Sequence, residues 1–216
     1  MTTIRLDSEL DNPSRRKDGV VSRYAAEHKK ATRRRIVESS GLRFRQDGFD
    51  GSGIATLMKD AGLTNGAFYA HFASKDDLIA HVIADTLQTQ ADVYRGVDGR
   101  DGLACVVRAY LSGEHRDARR EGCPSAALLG EIDRSSPAAR AAYTAGIVGL
   151  ADVVAAHLEP DEPGRLRVRV LGALAALFGT LQLARAVDDP ALAEELLDQG
   201  QRDVLAMLDL DDEAAR

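Results

Sequence analysis

Apolar residues recur three and four positions apart along almost the whole chain, and Gly, Pro or Ser/Asp clusters cut the runs, so the pattern predicts an all-α protein with no strand. The first ~20 residues have little apolar content and no sustained period, which predicts a mobile arm. A first helix is expected to start at or before Thr32 and end near Gly48. It puts Ile36, Ser40 and Phe44 on one face and crowds Arg33, Arg34 and Arg35 into its N-terminal turn. Two short helices follow at about 54–61 and 65–72, separated by a tight turn at Gly62 and Leu63. Neither is long enough to be stable alone, so both must pack on the first helix. Ser74, with capping-box spacing to Asp77, opens a longer helix that runs to about Tyr94. GVDGRDG, residues 96–102, reads as a loop. Further helices are expected at about 102–115, 125–133, 137–158, 163–187 and 190–208, with Pro124, Pro137, Pro163 and Pro190 at or near their starts. The tail beyond Leu208 is acidic and expected to fray.

The two short helices carry the most specific pattern. Ile54, Leu57, Met58 and Ala61 share one face, and Gly62 can take positive φ, so the chain can turn sharply and lay the next helix across the first. Thr64 stands where a cap is needed, and Phe68 and Phe72 bury the inner face of the second short helix. Asn65, Gly66, Ala67, Tyr69 and His71 are left for the outer and N-terminal surface, small or polar groups that fit a major groove.

Charge sharpens this picture. The chain of 216 residues carries a net −6, but residues 1–75 hold 14 Lys and Arg against 9 Asp and Glu, while residues 76–216 hold 14 against 25. A basic N-terminal third on an acidic remainder suits a polyanion that touches one end only. With 44% hydrophobic residues there is enough for a core. No apolar run is read as reaching the ~18 residues of a span, and the N-terminus lacks a signal-type apolar stretch, so a cytoplasmic protein with no membrane partner is expected. Two cysteines, Cys105 and Cys123, make neither a disulfide framework nor a metal site. The five histidines lack ligand spacing, the glycines at 48, 51 and 53 do not form GxGxxG, and no nucleophile motif is seen. The expectation is therefore no metal, no cofactor and no catalytic residue. A helical enzyme is the alternative from another class, to be separated by turnover in the absence of DNA.

AGLTNGAFYAHFASKDDL closely resembles the turn, recognition helix and following helix start of the TetR family of transcriptional repressors, and TRRRIVESS and RFRQDGF resemble its first helix; together they cover about residues 32–83. The resemblance implies a three-helix helix-turn-helix DNA-binding domain at 31–78, preceded by a mobile basic arm and the start of the first helix at 1–30. An effector-binding and dimerisation domain would follow at 79–216. It implies phosphate contacts from Tyr69, His71 and Lys75, and a base-facing surface of Asn65, Gly66 and Ala67, with Arg33, Ser52 and Thr64 completing the DNA-facing set. Ser52-Gly53 departs from the Ser or Thr usual before the second helix, and Met58 and Arg43 depart from the family's small and apolar choices.

The same resemblance implies a homodimer, a near-palindromic operator and release by a small-molecule effector. Dimerisation would use the last two long helices, for which Leu171, Gly172, Ala176, Phe178 and Gly179 supply small and apolar surface. Helices between 74 and 158 would enclose the effector, with Tyr94, Val107, Tyr110, Cys123, Leu128 and Tyr143 as candidate walls. Five Tyr, five Phe and no Trp favour an aliphatic or small reactive effector over a stacked planar one. An alternative is a thiol- or electrophile-sensing repressor acting through Cys123, which follows Arg119 and Arg120 and precedes a helix start, with Glu121 opposing thiolate formation. Cys105, among Leu103, Val106 and Val107, reads as core.

Overall fold

A computed structural model describes the backbone of residues 13–210 except Glu121, and the side chains from residue 26 onward. Among the described residues every regular element is helical. The chain divides into two units, Met1–Arg35 and Ile36–Arg216. Helix α1 spans Pro13–Asp47, so helical backbone reaches well into the segment expected to be an arm; the arm's residues 1–12 lie outside the described residues. In the second unit α1 is followed by α2 (Ile54–Asp60), a 3₁₀ helix (Asn65–Ala70), α3 (Lys75–Arg95), α4 (Gly99–Tyr110), α5 (Gly113–Asp117) and α6 (Pro124–Ile132). Then come α7 (Pro137–Leu158), a 3₁₀ turn (Pro163–Arg165), α8 (Arg167–Ala186) and α9 (Pro190–Met207).

Pro124, Pro137 and Pro190 open α6, α7 and α9, where a missing N–H costs nothing. Two boundaries around α4 differ from expectation. The loop expected over 96–102 is shorter, because α4 already starts at Gly99. The helix expected over 102–115 breaks after Tyr110, where Leu111 leaves helical dihedrals to bury its side chain completely. Ser112 then caps α5 by accepting from the His115 amide at 3.2 Å.

Two hydrophobic cores run through the second unit. The first gathers Phe44, Leu57, Phe68, Phe72 and Leu78 around Ile36, and it extends beyond residue 78 to Leu87 of α3, Leu128 and Ile132 of α6 and Ala139 of α7. The second lies among α4 and α6–α9 and includes Leu103, Leu150, Leu174 and Val204. Helices α3 and α7 pack closely along each other, α7 also meets α8, and α8 lies on α9. By length and composition α7 and α8 are apolar enough to cross a membrane, which corrects the expectation that no run reaches that length. Both pack instead as helices of the folded core, α7 through Leu150, Ala151 and Val154 and α8 through Leu174, Leu177 and Leu181.

The chain after α9 does not fray at Leu208 as expected. Asp209 takes a positive φ of 52°, and the Leu210 amide donates back to the Leu205 carbonyl at 2.8 Å. Leu210 is thereby tucked into the second core, and Arg169 pairs with the Asp209 carboxylate at 2.8 Å. Residues 211–216 lie outside the described residues.

Candidate DNA-binding surface and effector cavity

The helix-turn-helix is built from its turn outward. Leu57 and Met58 of α2 are fully buried, and Ala61 ends that helix against the same core. Gly62 follows with φ +66°, and two reverse bonds, Gly62 amide to Lys59 carbonyl and Leu63 amide to Met58 carbonyl, both 2.9 Å, close the turn as a Schellman motif. The segment beyond is a 3₁₀ helix rather than the expected α-helix. It turns Phe68 and Phe72 inward, stacked 5.8 Å apart, and leaves Asn65 and Gly66 exposed and Ala67 half-buried. Tyr69 is 69% exposed, with its ring held edge-on against Phe68 at 5.2 Å. The ring thus stands in solvent directly in front of buried Phe68 and Phe72.

Thr64 occupies the N-cap position with extended backbone, but its hydroxyl makes no capping bond, so the role expected of it is positional only. His71 ends the 3₁₀ helix half-buried, and Lys75 is the first residue of α3. Both halves of the capping box form: Ser74 Oγ accepts from the Asp77 amide at 3.1 Å, and the Asp77 carboxylate accepts from the Ala73 amide at 3.0 Å. Arg33 lies half-buried on α1, in the first unit. Ser52 needs correction. It is fully buried, and its hydroxyl donates to the Gly48 carbonyl at 3.1 Å, so it braces the turn before α2 rather than facing a phosphate.

Arg43 departs from the apolar choice of the family pattern. In the structure it forks onto Asp60 at 2.7 and 3.1 Å and reaches Asp47 at 2.9 Å, tying α1 to the end of α2. These hydrogen bonds hold the Asp60 carboxyl below the usual carboxylate range and push the guanidinium further up.

The model of the bacterial regulatory proteins of the tetR family matches residues 43–82, which span this turn, the recognition segment and the start of α3. Over those residues the chain is similar to the TetR family. Solved structures of similar fold extend the likeness along the chain. A TetR-family regulator from Streptomyces coelicolor, SCO4454, is 26% identical, with a TM-score of 0.60 over 87% of this chain and 95% of that one. Reduced NemR of E. coli is 20% identical, with a TM-score of 0.68 over 81% of this chain and 95% of that one. A TetR-family regulator from Agrobacterium tumefaciens is 19% identical, with a TM-score of 0.63 over 81% and 98%. A search of curated proteins finds no match. The family model that matches residues 43–82 is one of bacterial regulatory proteins, so the match falls on the helix-turn-helix built above.

In the C-terminal half of the chain the candidate effector walls fall in three places. Tyr143 lines an apolar cavity of about 280 Å³ between α6, α7 and α8, together with Ser125, Ala126, Leu174, Phe178 and Gln182. Its polar end is made by Tyr143, whose hydroxyl donates to Ser125 at 3.3 Å, and by Gln182, whose amide donates to the Ala126 carbonyl. Leu128 is buried in the first core. Tyr94, Val107, Tyr110 and Cys123 gather in the second. There burial, and next the neighbouring Cys123, push the Tyr94 and Tyr110 hydroxyls above the ordinary tyrosine range.

The cysteine expectations are partly reversed. Cys105 is exposed, because the buried face of α4 is Leu103, Ala104 and Val107, and residue 105 points away from it. Cys123 is the buried thiol, at the N-cap of α6. Its amide donates to His115 Nε2 at 3.4 Å, while His115 Nδ1 lies 2.7 Å from the Tyr110 carbonyl. A carbonyl can only accept and an amide only donate, so this ring carries its proton on Nδ1 and pins the start of α6 to the end of α4. Glu121 lies outside the described residues.

Of the residues expected at a dimer contact, Gly172 and Gly179 are exposed and Leu171 and Ala176 half-buried. Phe178 is corrected: it points into the second core, 6.2 Å from Tyr110. The outward stripe of α8 is instead Val168, Gly172, Ala175, Gly179 and Leu183, with Val168 79% and Leu183 51% exposed.

Proposed function

We propose that this chain is a TetR-family regulator that binds a near-palindromic operator as a homodimer and represses until a small molecule releases it, acting in the cytoplasm. The observation that carries the DNA reading is the outward face of the recognition segment: Thr64, Asn65, Gly66 and Tyr69 are exposed directly in front of buried Phe68 and Phe72. On this reading Asn65 meets a base edge, with adenine the natural partner of its amide; Gly66 admits close approach and Ala67 meets a thymine methyl. Tyr69, His71 and Lys75 donate to phosphates and set register without reading sequence. Two copies joined through α8 and α9 would present two such surfaces about 34–36 Å apart, one turn of the groove.

The 280 Å³ cavity is the site we assign to the effector. Its largely apolar wall with one hydroxyl pair suits a compact aliphatic ligand carrying a polar group. Such a ligand lowers operator affinity only by its preference for the dimer that cannot span both half-sites.

Selection of duplexes from a random pool, followed by titration of variants, tests the reading. Lys75→Ala and Tyr69→Phe should weaken binding to operator and unrelated duplexes alike, with Lys75→Ala lowering the salt slope by about one. Asn65→Ala should relax preference at one position per half-site. Three variants that bind like wild type would remove this face from the interface.

A further inference from the structure

Among the described residues three helices end in a residue of positive φ, and they do not end alike. After α2 and after α9 the next amide folds back onto its own helix: Leu63 donates to Met58 and Leu210 to Leu205. After α1, Gly48 takes φ +75° and donates to the Phe44 carbonyl at 2.9 Å, but the next amide does not return to the helix. Phe49 N–H donates instead to the Glu131 carboxylate of α6, 82 residues on, at 2.6 Å. The carboxylate lies close over Gly48: a Cβ there would stand 2.6 Å from Oε1 and would push the carboxylate aside, and the positive φ itself favours glycine.

This amide belongs to the turn that starts the helix-turn-helix. The Phe49 ring is buried edge-on against Phe44 at 5.2 Å, and Ser52, bonded to the Gly48 carbonyl, leads into the start of α2. A second tie runs beside it, from Arg45 Nε to the Arg120 carbonyl at 2.7 Å, just before α6. Helix α6 is thus two-sided. Leu128, Glu131 and Ile132 face the DNA-binding core, while Ser125, Ala126, Leu129 and Gly130 wall the 280 Å³ cavity.

We propose that Glu131 is a positioning residue for DNA binding: its carboxylate, carried on the helix that walls the cavity, holds the turn from which α2 and the recognition segment hang. The proposal rests on the DNA-binding reading above and adds the residue through which a displacement of α6 reaches that surface. A charge-assisted bond to an amide whose intrahelical partner is already taken is strong, and its loss leaves that amide unmatched.

The full-length protein tests this with Glu131→Ala and Glu131→Gln. Affinity for a selected operator duplex and hydrogen exchange at the Phe49 amide are both read. Glu131→Ala should weaken operator binding about tenfold and expose the Phe49 amide to exchange. Glu131→Gln keeps an acceptor and should recover most of both. Wild-type affinity in Glu131→Ala, or a Gln variant with an unprotected Phe49 amide and full affinity, overturns the proposal. Should Glu131→Ala not fold, the Gln variant decides by the same two readings. A wild type that binds no duplex sinks the DNA reading instead. Glu131 is then judged by Phe49 exchange alone, and fast exchange in the wild type overturns it.

Discussion

Arg43 and Asp60 show how much one residue's meaning depends on its partner. On a helical wheel Arg43 intrudes on an apolar face, and an arginine there can lay its stem along the core and keep its charge wet. The structure gives it a forked bond to Asp60, 17 residues away, and a second to Asp47. A carboxyl held below its ordinary value of 3.8 contributes stability that is present above that value and is lost as pH falls through the depressed one. Asp60→Asn should therefore lower the melting temperature modestly at neutral pH, since the pair is part-exposed, and the gap to wild type should close below about pH 4. A gap that is unchanged or wider in acid would remove the clamp. The cysteines carry the same lesson, for Cys105 sits among apolar neighbours in sequence yet points off the buried face of α4.

At the scale of the element, local chemistry was readable wherever it acts within a few residues. The capping pair Ser74 and Asp77, the helix-opening prolines and the positive φ of Gly62 all follow from residue types at short spacing. Gly62→Ala meets no neighbour within 4 Å, so its cost is conformational alone. It should remove about 1 kcal/mol of stability, read as a lower urea midpoint with unchanged slope. An alanine variant as stable as wild type would mean that the turn is not held in this conformation. The break at Leu111 was not readable, because a helix-favouring run continues through it and only burial of that leucine against distant helices stops it. The 3₁₀ form of the recognition segment is of the same kind.

At the scale of the molecule, the exposed stripe of α8 is where a second copy would lie. Gly179→Arg has nothing within 4 Å of its new Cβ, so the single chain should fold as before. A dimer pressed together at Gly172, Ala175 and Gly179 should fall apart, because a charged side chain would be forced between close helices. Light scattering at micromolar concentration should show a dimer for wild type and a monomer for the variant; a variant dimer, or a wild-type monomer, rejects this interface. The all-α class, the helix-turn-helix at its place in the chain, and the inward and outward faces of residues 54–72 were determined by the sequence itself, because periodicity, caps and turns act between neighbours. Which element covers which face was decided only by tertiary structure. The turn of Phe178 into the core, the open cavity between α6, α7 and α8 and the reach of Glu131 to Phe49 depend on partners tens of residues away, and a helix's pattern records that a face is buried without recording against what.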